Sequence, residues 1–226
     1  MKKRYAGHLL LLRSKHQWLQ TPEASPHRRC ILLVENKLEN QRLLPYCAST
    51  AKQKQDILRW HNDFRNNVTP KAANMVKLAW GDDLARKAQD WADTCIDGHN
   101  SVKSNRRWQW IGENMAFSSD TDLREMVKGW EGERKVYDYW SNTCRPAPGD
   151  PMLSSCGHYT QMVWANTKFI GCGFKKGCPG RFPNRLVCNY GEGGNWIGEK
   201  PYESGGKCSQ CPPGYGRCNR KLCLRG

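Results

Sequence analysis

Twelve cysteines in 226 residues constrain this chain more than any other feature. The count is even and dense, which reads as a disulfide framework built in an oxidising compartment. The competing reading is structural zinc, which needs paired knuckles with distant partners. Only Cys208-Ser-Gln-Cys211 has that form, and the other spacings are irregular. The cysteines therefore place the protein outside the cytosol, as an extracellular, secreted chain. No apolar run reaches the roughly 18 residues of a transmembrane span.

Export calls for a leader with a basic start, an apolar stretch of about 7 to 15 residues and a small-residue cleavage site. Met1-Lys2-Lys3-Arg4 supplies the basic start. Leu9 to Leu12 is short and sits between His8 and Arg13, and Ile31 to Val34 is no longer. The signal peptide is therefore not clean, and the cysteines carry the argument. Residues 1–48 read as a leader or N-terminal extension, 49–200 as the main domain and 201–226 as a cysteine-rich tail. Residues 1–50 hold nine Lys/Arg and three Asp/Glu, and the rest of the chain nets +9 of the total +15. Such a surface attracts anionic polymers or lipid headgroups. The basic residues are scattered and no nucleic-acid motif accompanies them, so no nucleic-acid partner is expected.

Residues 52–66 read as a helix, with Ile57, Trp60, His61 and Phe64 at helical spacing. Asp82-Asp83 can cap a second helix striped by Leu84, Ala88, Trp91, Ala92 and Cys95. A third helix is predicted over about 120–140, with Leu123, Met126, Val127 and Trp130 on its stripe, then Glu133, then Tyr137. Phe169 to Phe174 and Leu186 to Tyr190 read as strands, and Gly191 to Gly194 as a turn. The tail from 201 reads as a small disulfide-stapled knob without a core of its own. Helices followed by strands suggest mixed α and β layers.

Glu133 stands out because a carboxylate on an apolar stripe costs several kcal/mol unless it is paired. It either points into a site or snorkels at the edge of a rotated helix. Gly98-His99 and Gly157-His158 each lie close to a cysteine, Cys95 and Cys156, and Glu113 sits in Gly112-Glu113-Asn114, which reads as a loop. Two His and two Glu suit a metal site or an acid/base cluster, although each alone is more often structural. Asn67-Val68-Thr69 is a glycosylation sequon weakened by Pro70. No Gly-x-Ser-x-Gly elbow and no phosphate-cradling glycine loop is present.

Several of these stretches together resemble one family. Gly157-His158-Tyr159-Thr160-Gln161-Met162-Val163-Trp164 followed by Ile170-Gly171-Cys172-Gly173 is similar to the first signature of the CAP superfamily of cysteine-rich secretory, antigen 5 and pathogenesis-related proteins. Val187-Cys188-Asn189-Tyr190 running to Gly194-Asn195-Trp196 resembles its second. His61-Asn62 with Arg65, Ala73-Asn74-Met75, Trp91-Ala92 with Cys95, and Gly112-Glu113-Asn114 follow in the family's order. The resemblance spans roughly residues 52 to 223. Its ending is most similar to the peptidase-inhibitor, glioma-pathogenesis-related and LCCL-bearing branches.

The resemblance implies an α+β fold, a three-layer α-β-α sandwich with a central cleft. It implies that the family's two-His, two-Glu tetrad falls on His99, Glu113, Glu133 and His158, with His99 and His158 able to hold Zn2+ or another divalent cation. It implies a short helix over Gly157 to Trp164. Similarity suggests bridges Cys95–Cys178, Cys172–Cys188, Cys208–Cys218 and Cys211–Cys223. Cys144–Cys156 is read from the loop that the two residues bound, and the pairing of Cys30 and Cys47 is left open, a bridge between them being a guess. The chain also departs from the pattern. Ile111 and Gly191 stand where venom-type members carry a bridge, and Glu192 replaces a usual proline. The six-cysteine channel-regulating domain does not follow before Gly226, which argues against channel blocking.

The expected function is a secreted, non-enzymatic, monomeric binding module. Its cleft would bind a divalent cation and its surface an extracellular protein, a lipid or sterol, or an anionic glycan. Two alternatives stand beside it: a metal- or His/Glu-assisted peptidase, and a purely structural tetrad.

Overall fold

The computed structural model describes residues 49–150 and 153–226. The expected leader and the Cys30–Cys47 pair lie outside them.

A four-stranded sheet forms the middle layer, in the order β1 (Ala79–Trp80), β5 (Phe169–Lys175), β6 (Asn184–Gly191) and β2 (Gly112–Ser118). β1 runs parallel to β5, and the other two pairs are antiparallel. Every residue of β6 is buried, as a central strand covered on both faces requires. One face carries α2 (Asp82–Asp93), and the other carries α1 (Ala51–Asn66), α3 (Leu123–Gly132) and α4 (Gly157–Met162). Two small hairpins, β3–β4 (Tyr137–Asp138 with Thr143–Cys144) and β7–β8 (Arg217–Asn219 with Leu222–Leu224), complete it. This is the expected α-β-α sandwich.

Local chemistry explains the elements. Thr50 caps α1 reciprocally with Gln53, each side chain bonding the other's backbone N–H. Ile57, His61 and Arg65 recur at four-residue spacing on its buried face. Asp82 and Asp83 sit in the first turn of α2, where carboxylates favour the helix dipole. α2 then lies almost backbone to backbone on β5. A Cβ on Gly173 would come within 2.3 Å of the Gln89 Cα, and one on Gly171 within 2.2 Å of the Ala85 N. The Gly-Cys-Gly run is a packing requirement rather than a flexible loop.

Arg65 is 1% exposed and has no carboxylate partner among the described residues. Its guanidinium instead makes six hydrogen bonds to five backbone carbonyls, those of Val76, Met162, Trp164, Ala165 and Thr167. Burial pulls its pKa down to about 9, which leaves it charged at neutral pH. One side chain of α1 thereby fixes the path of the chain between α4 and β5.

Three expectations change. The third helix starts at Leu123, capped by Asp122, and stops at Gly132 rather than near 140. Glu133–Lys135 tightens into a 3-10 turn, and Tyr137-Asp138 becomes a strand. The reason is a long-range contact: Glu133 accepts from backbone N–H groups of α4, as described below. Gly112-Glu113-Asn114 is the start of β2 rather than a loop, because β6 supplies a full antiparallel register for those residues. Cys95 lies beyond the end of α2 with φ of 57°.

The tail is disulfide-stapled and has no core of its own, as expected, and it is seated on the main domain. Tyr202 and Leu222 belong to the main core. The Cys223 N–H donates to the Met75 carbonyl at 2.8 Å, and its carbonyl accepts from the Lys77 N–H at 2.9 Å. Bridges Cys208–Cys218 and Cys211–Cys223 then close the tail around this seam.

Replacing Arg65 with Met leaves buried carbonyls unpaired at about 1–3 kcal/mol each. We expect Arg65→Met to lower stability by at least about 3 kcal/mol, or roughly 6–12 °C in Tm. Arg65→Lys, with three donors in place of the fork, should fall between it and wild type. Thermal unfolding checks both, and an unchanged Tm in Arg65→Met would show that the carbonyls do not depend on the guanidinium.

Candidate functional site

The four candidate residues form two His–Glu pairs. His99 lies in the loop after α2 with its side chain 55% exposed, and its Nδ1 is 2.9 Å from Glu113 Oε1. The Glu113 side chain is almost fully enclosed and also accepts from the Asn100 N–H at 2.9 Å and the Lys103 ammonium at 3.4 Å. Burial alone would raise the Glu113 pKa. The hydrogen bonds from His99 and Asn100 and the charge of Lys103 outweigh it and hold the carboxyl below its ordinary value.

In the second pair His158 Nδ1 lies 2.6 Å from Glu133 Oε1. Glu133 Oε2 accepts from the backbone N–H groups of His158 and Tyr159 at 2.9 and 3.1 Å, and Ser155 Oγ adds a fourth contact at 3.4 Å. The first residues of α4 thus present their unsatisfied N–H groups to a buried carboxylate. That resolves the Glu133 oddity: a helix end partners the buried charge. Trp130, one turn earlier, stacks on His158 with centroids 6.1 Å apart. The Cys144–Cys156 bridge closes the chain immediately before α4.

β2 stands between the pairs. Alternate side chains of a strand point to opposite faces. Glu113 shares a face with Met115, which packs with Val187, Ala88 and Ala92 on the α2 side. Asn114 points to the opposite side. There its Nδ2 donates to the His158 carbonyl at 3.0 Å and to the Tyr190 hydroxyl at 3.1 Å.

A buried chain continues from Asn114. His61 Nδ1 is 2.8 Å from the Ile57 carbonyl, which can only accept, so Nδ1 carries the proton. Nε2 is then the acceptor for the Tyr190 hydroxyl at 3.0 Å. Burial pushes the His61 pKa from 6.5 down to about 4 and raises that of Tyr190. His61 and Tyr190 are visible in the sequence only as a polar residue on an apolar stripe and part of a motif. Their role in aligning Asn114 with α4 needs coordinates.

Each histidine spends Nδ1 on a carboxylate and makes no protein hydrogen bond through Nε2 among the described residues. A carboxylate on one ring nitrogen orients imidazole and frees the other nitrogen for a metal. Each free Nε2 can therefore serve as a ligand atom for a borderline divalent cation. No three of the four residues bring ligand atoms within 4.8 Å of one another. Cys208, Cys211 and Cys223 do cluster that closely, but all three are consumed by bridges, so the knuckle reading fails there. The structure also contains Cys95–Cys178 and Cys172–Cys188, the latter directly across β5 and β6. Asn67 is exposed at the end of α1, with its amide donating to the Asp63 carbonyl.

Glu133 and His158 line a cleft of about 840 Å³, joined by Asp97 and Gly98 beside His99. Trp130, Met115, Met126 and Phe182 make it predominantly apolar.

Comparison with known proteins identifies the family and the fold. The sequence profile of the CAP, or cysteine-rich secretory protein, family matches residues 58–190. The mouse protein named Peptidase inhibitor R3HDML is 37% identical over 195 residues, covering 78% of this chain and 74% of the relative. Human Peptidase inhibitor 15 is 40% identical over 182 residues, covering 75% and 69%. The crystal structure of NaASP2 with Zn2+ superposes with a TM-score of 0.62 at 27% identity, covering 79% of this chain and 98% of that one.

Because His61 is neutral when folded and binds a proton more readily unfolded, its contribution is intact above about pH 6.5 and is lost as pH falls toward 4. Over that window it should remove about 3 kcal/mol. The pH dependence of Tm should be flatter in His61→Gln than in wild type, and parallel curves would remove His61 from the acid response. Glu133→Gln should lower Tm by several degrees, because an amide cannot accept as a carboxylate does from this set of donors.

Proposed function

This chain belongs to the cysteine-rich secretory protein family, and on that premise we propose that it is an exported, non-enzymatic binding module whose His99 and His158 hold a divalent cation. The observation that carries this reading is the shared design of the two pairs. Each imidazole is oriented through Nδ1 by a buried carboxylate, and each keeps Nε2 available. NaASP2, a structural relative crystallised with Zn2+, supports that choice of ion. The bridges support an oxidising, extracellular setting. Among the described residues no helix is long and apolar enough to cross a membrane.

The bound cation would supply Lewis acidity and a coordination site for an external donor. The chain's own residues hold and orient it. Glu113 and Glu133 fix the two rings, and Asn114 ties α4 to β2. Peptidase chemistry fits less well. A general base works best with its pKa near the operating pH, whereas Glu113 is held below its ordinary value and Glu133 already accepts from three nitrogen donors. The relatives' names, which describe inhibitors of peptidases, point the same way. The partner on this reading is an extracellular protein, ahead of a lipid, sterol or anionic glycan, and the module acts as a monomer. A structural tetrad remains a specific second reading, because the dense hydrogen bonding of Glu133 would stabilise the fold with or without an ion.

Zinc titration by calorimetry separates the readings. Wild type should bind, and the His99→Ala, His158→Ala double variant should lose at least tenfold in affinity. Equal affinity in the two proteins would remove the metal site and leave the structural reading. Peptide turnover should be absent in wild type. Turnover that disappears in Glu113→Gln would establish the peptidase instead.

A further inference from the structure

β2 ends the sheet, and among the described residues no strand pairs with its outer edge. The direction of its backbone groups follows from the ladder. The Lys168 and Ile170 carbonyls accept from Ala79 and Gly81, so even-numbered residues of β5 face β1 and odd-numbered ones face β6. The register then turns the even residues of β2 toward β6, and Glu113, Met115 and Phe117 outward. Trp130 agrees with this, donating from α3 to the Met115 carbonyl at 3.0 Å. The Met115 N–H and both backbone groups of Phe117 carry no hydrogen bond among the described residues.

This edge lies along the 840 Å³ cleft, which all four residues from Met115 to Ser118 line. α3 contributes one wall through Met126 and Trp130, and the segment 179–182 contributes another. Arg185, on β6, also lines the cleft and is 3% exposed. Its Nη2 pairs with Asp97 at 2.7 Å, but Nε and Nη1 have no partner among the described residues. Its guanidinium lies over the Phe117 ring at 5.2 Å. Two unmatched nitrogens on a buried guanidinium call for further hydrogen-bond acceptors, and a carboxylate is the strongest of these. Arg181 adds a second positive charge near Arg185, and the lining carboxylates are Asp97, which pairs with Arg185, Glu133, which is held by α4, and Glu125 on α3.

We propose that this groove receives an extended peptide segment of a partner protein, which adds a fifth strand at β2 and directs an acidic side chain toward Arg185. A free strand edge in an apolar groove is the geometry of strand addition: main-chain bonds supply affinity and alternate side chains supply selectivity. The peptide residue opposite Phe117 bonds its N–H and C=O together and shares its face, the face of Arg185. The residues on either side turn toward Met126 and Trp130. The recognised pattern is therefore an acidic residue between two apolar ones. The inference rests on the binding-module reading and names its partner class, but it does not require the cation.

A random peptide library displayed on phage and panned on the purified full chain in EDTA tests this. Enriched peptides should share the apolar–acidic–apolar pattern, and a synthetic representative should lose at least tenfold in affinity when its acidic residue becomes the amide. Phe117→Pro removes the outward N–H without breaking a ladder bond. It should bind at least tenfold more weakly than Phe117→Ala, which lacks the ring but keeps the N–H. N-methylation of the peptide, which leaves the protein untouched, should abolish binding at alternate positions only. Failure to enrich such peptides, equal binding by the two Phe117 variants, or uniform tolerance of N-methylation would overturn the proposal. Peptide binding by wild type with no zinc binding, or with zinc affinity unchanged in the His99→Ala, His158→Ala variant, would overturn the cation assignment alone.

Discussion

The buried guanidinium of Arg65 is the interaction on which the rest of the molecule depends. Five carbonyls from two separate stretches of chain converge on it, and among the described residues no carboxylate neutralises it. Backbone dipoles perform the solvation that water would otherwise provide. Because those carbonyls belong to residues 76 and 162–167, the arginine sets where α4 ends and where β5 begins. α4 in turn presents the N–H groups that hold Glu133, so an organising contact in α1 reaches the candidate site through one rigid segment.

The site is built around an edge strand rather than within a pocket of one face. β2 sends Glu113 to the α2 side and Asn114 to the other, and the two pairs sit against the same strand from different sides. The arrangement separates two tasks. The carboxylates orient the imidazoles and are themselves saturated, while ring nitrogens and main-chain groups stay available to something outside the chain. Availability at saturated supports is what binding requires, and proton transfer would need the reverse.

Much of this is legible from residue order. The cysteine density indicates the compartment, the helical stripes locate α1 and α2, and the motif around His158 points to the family and the four-residue site. What stays hidden is decided by long-range pairing. Gly112-Glu113-Asn114 has the composition of a turn, and only the register with β6 makes it a strand. The third helix looks longer in the sequence because Val136, Tyr137 and Tyr139 continue an apolar pattern. In the fold Tyr139 instead stacks on Tyr202 and bonds its carbonyl. Arg185 carries no sequence signal at all, since a single arginine in a strand reads as a solvated residue until its surroundings are known.

The Cys95–Cys178 bridge joins the loop that carries His99 to the segment that leads into Arg181 and Phe182. One covalent link therefore governs two surfaces of the cleft. A reductant acting on it would loosen the imidazole end and the aromatic wall in the same event.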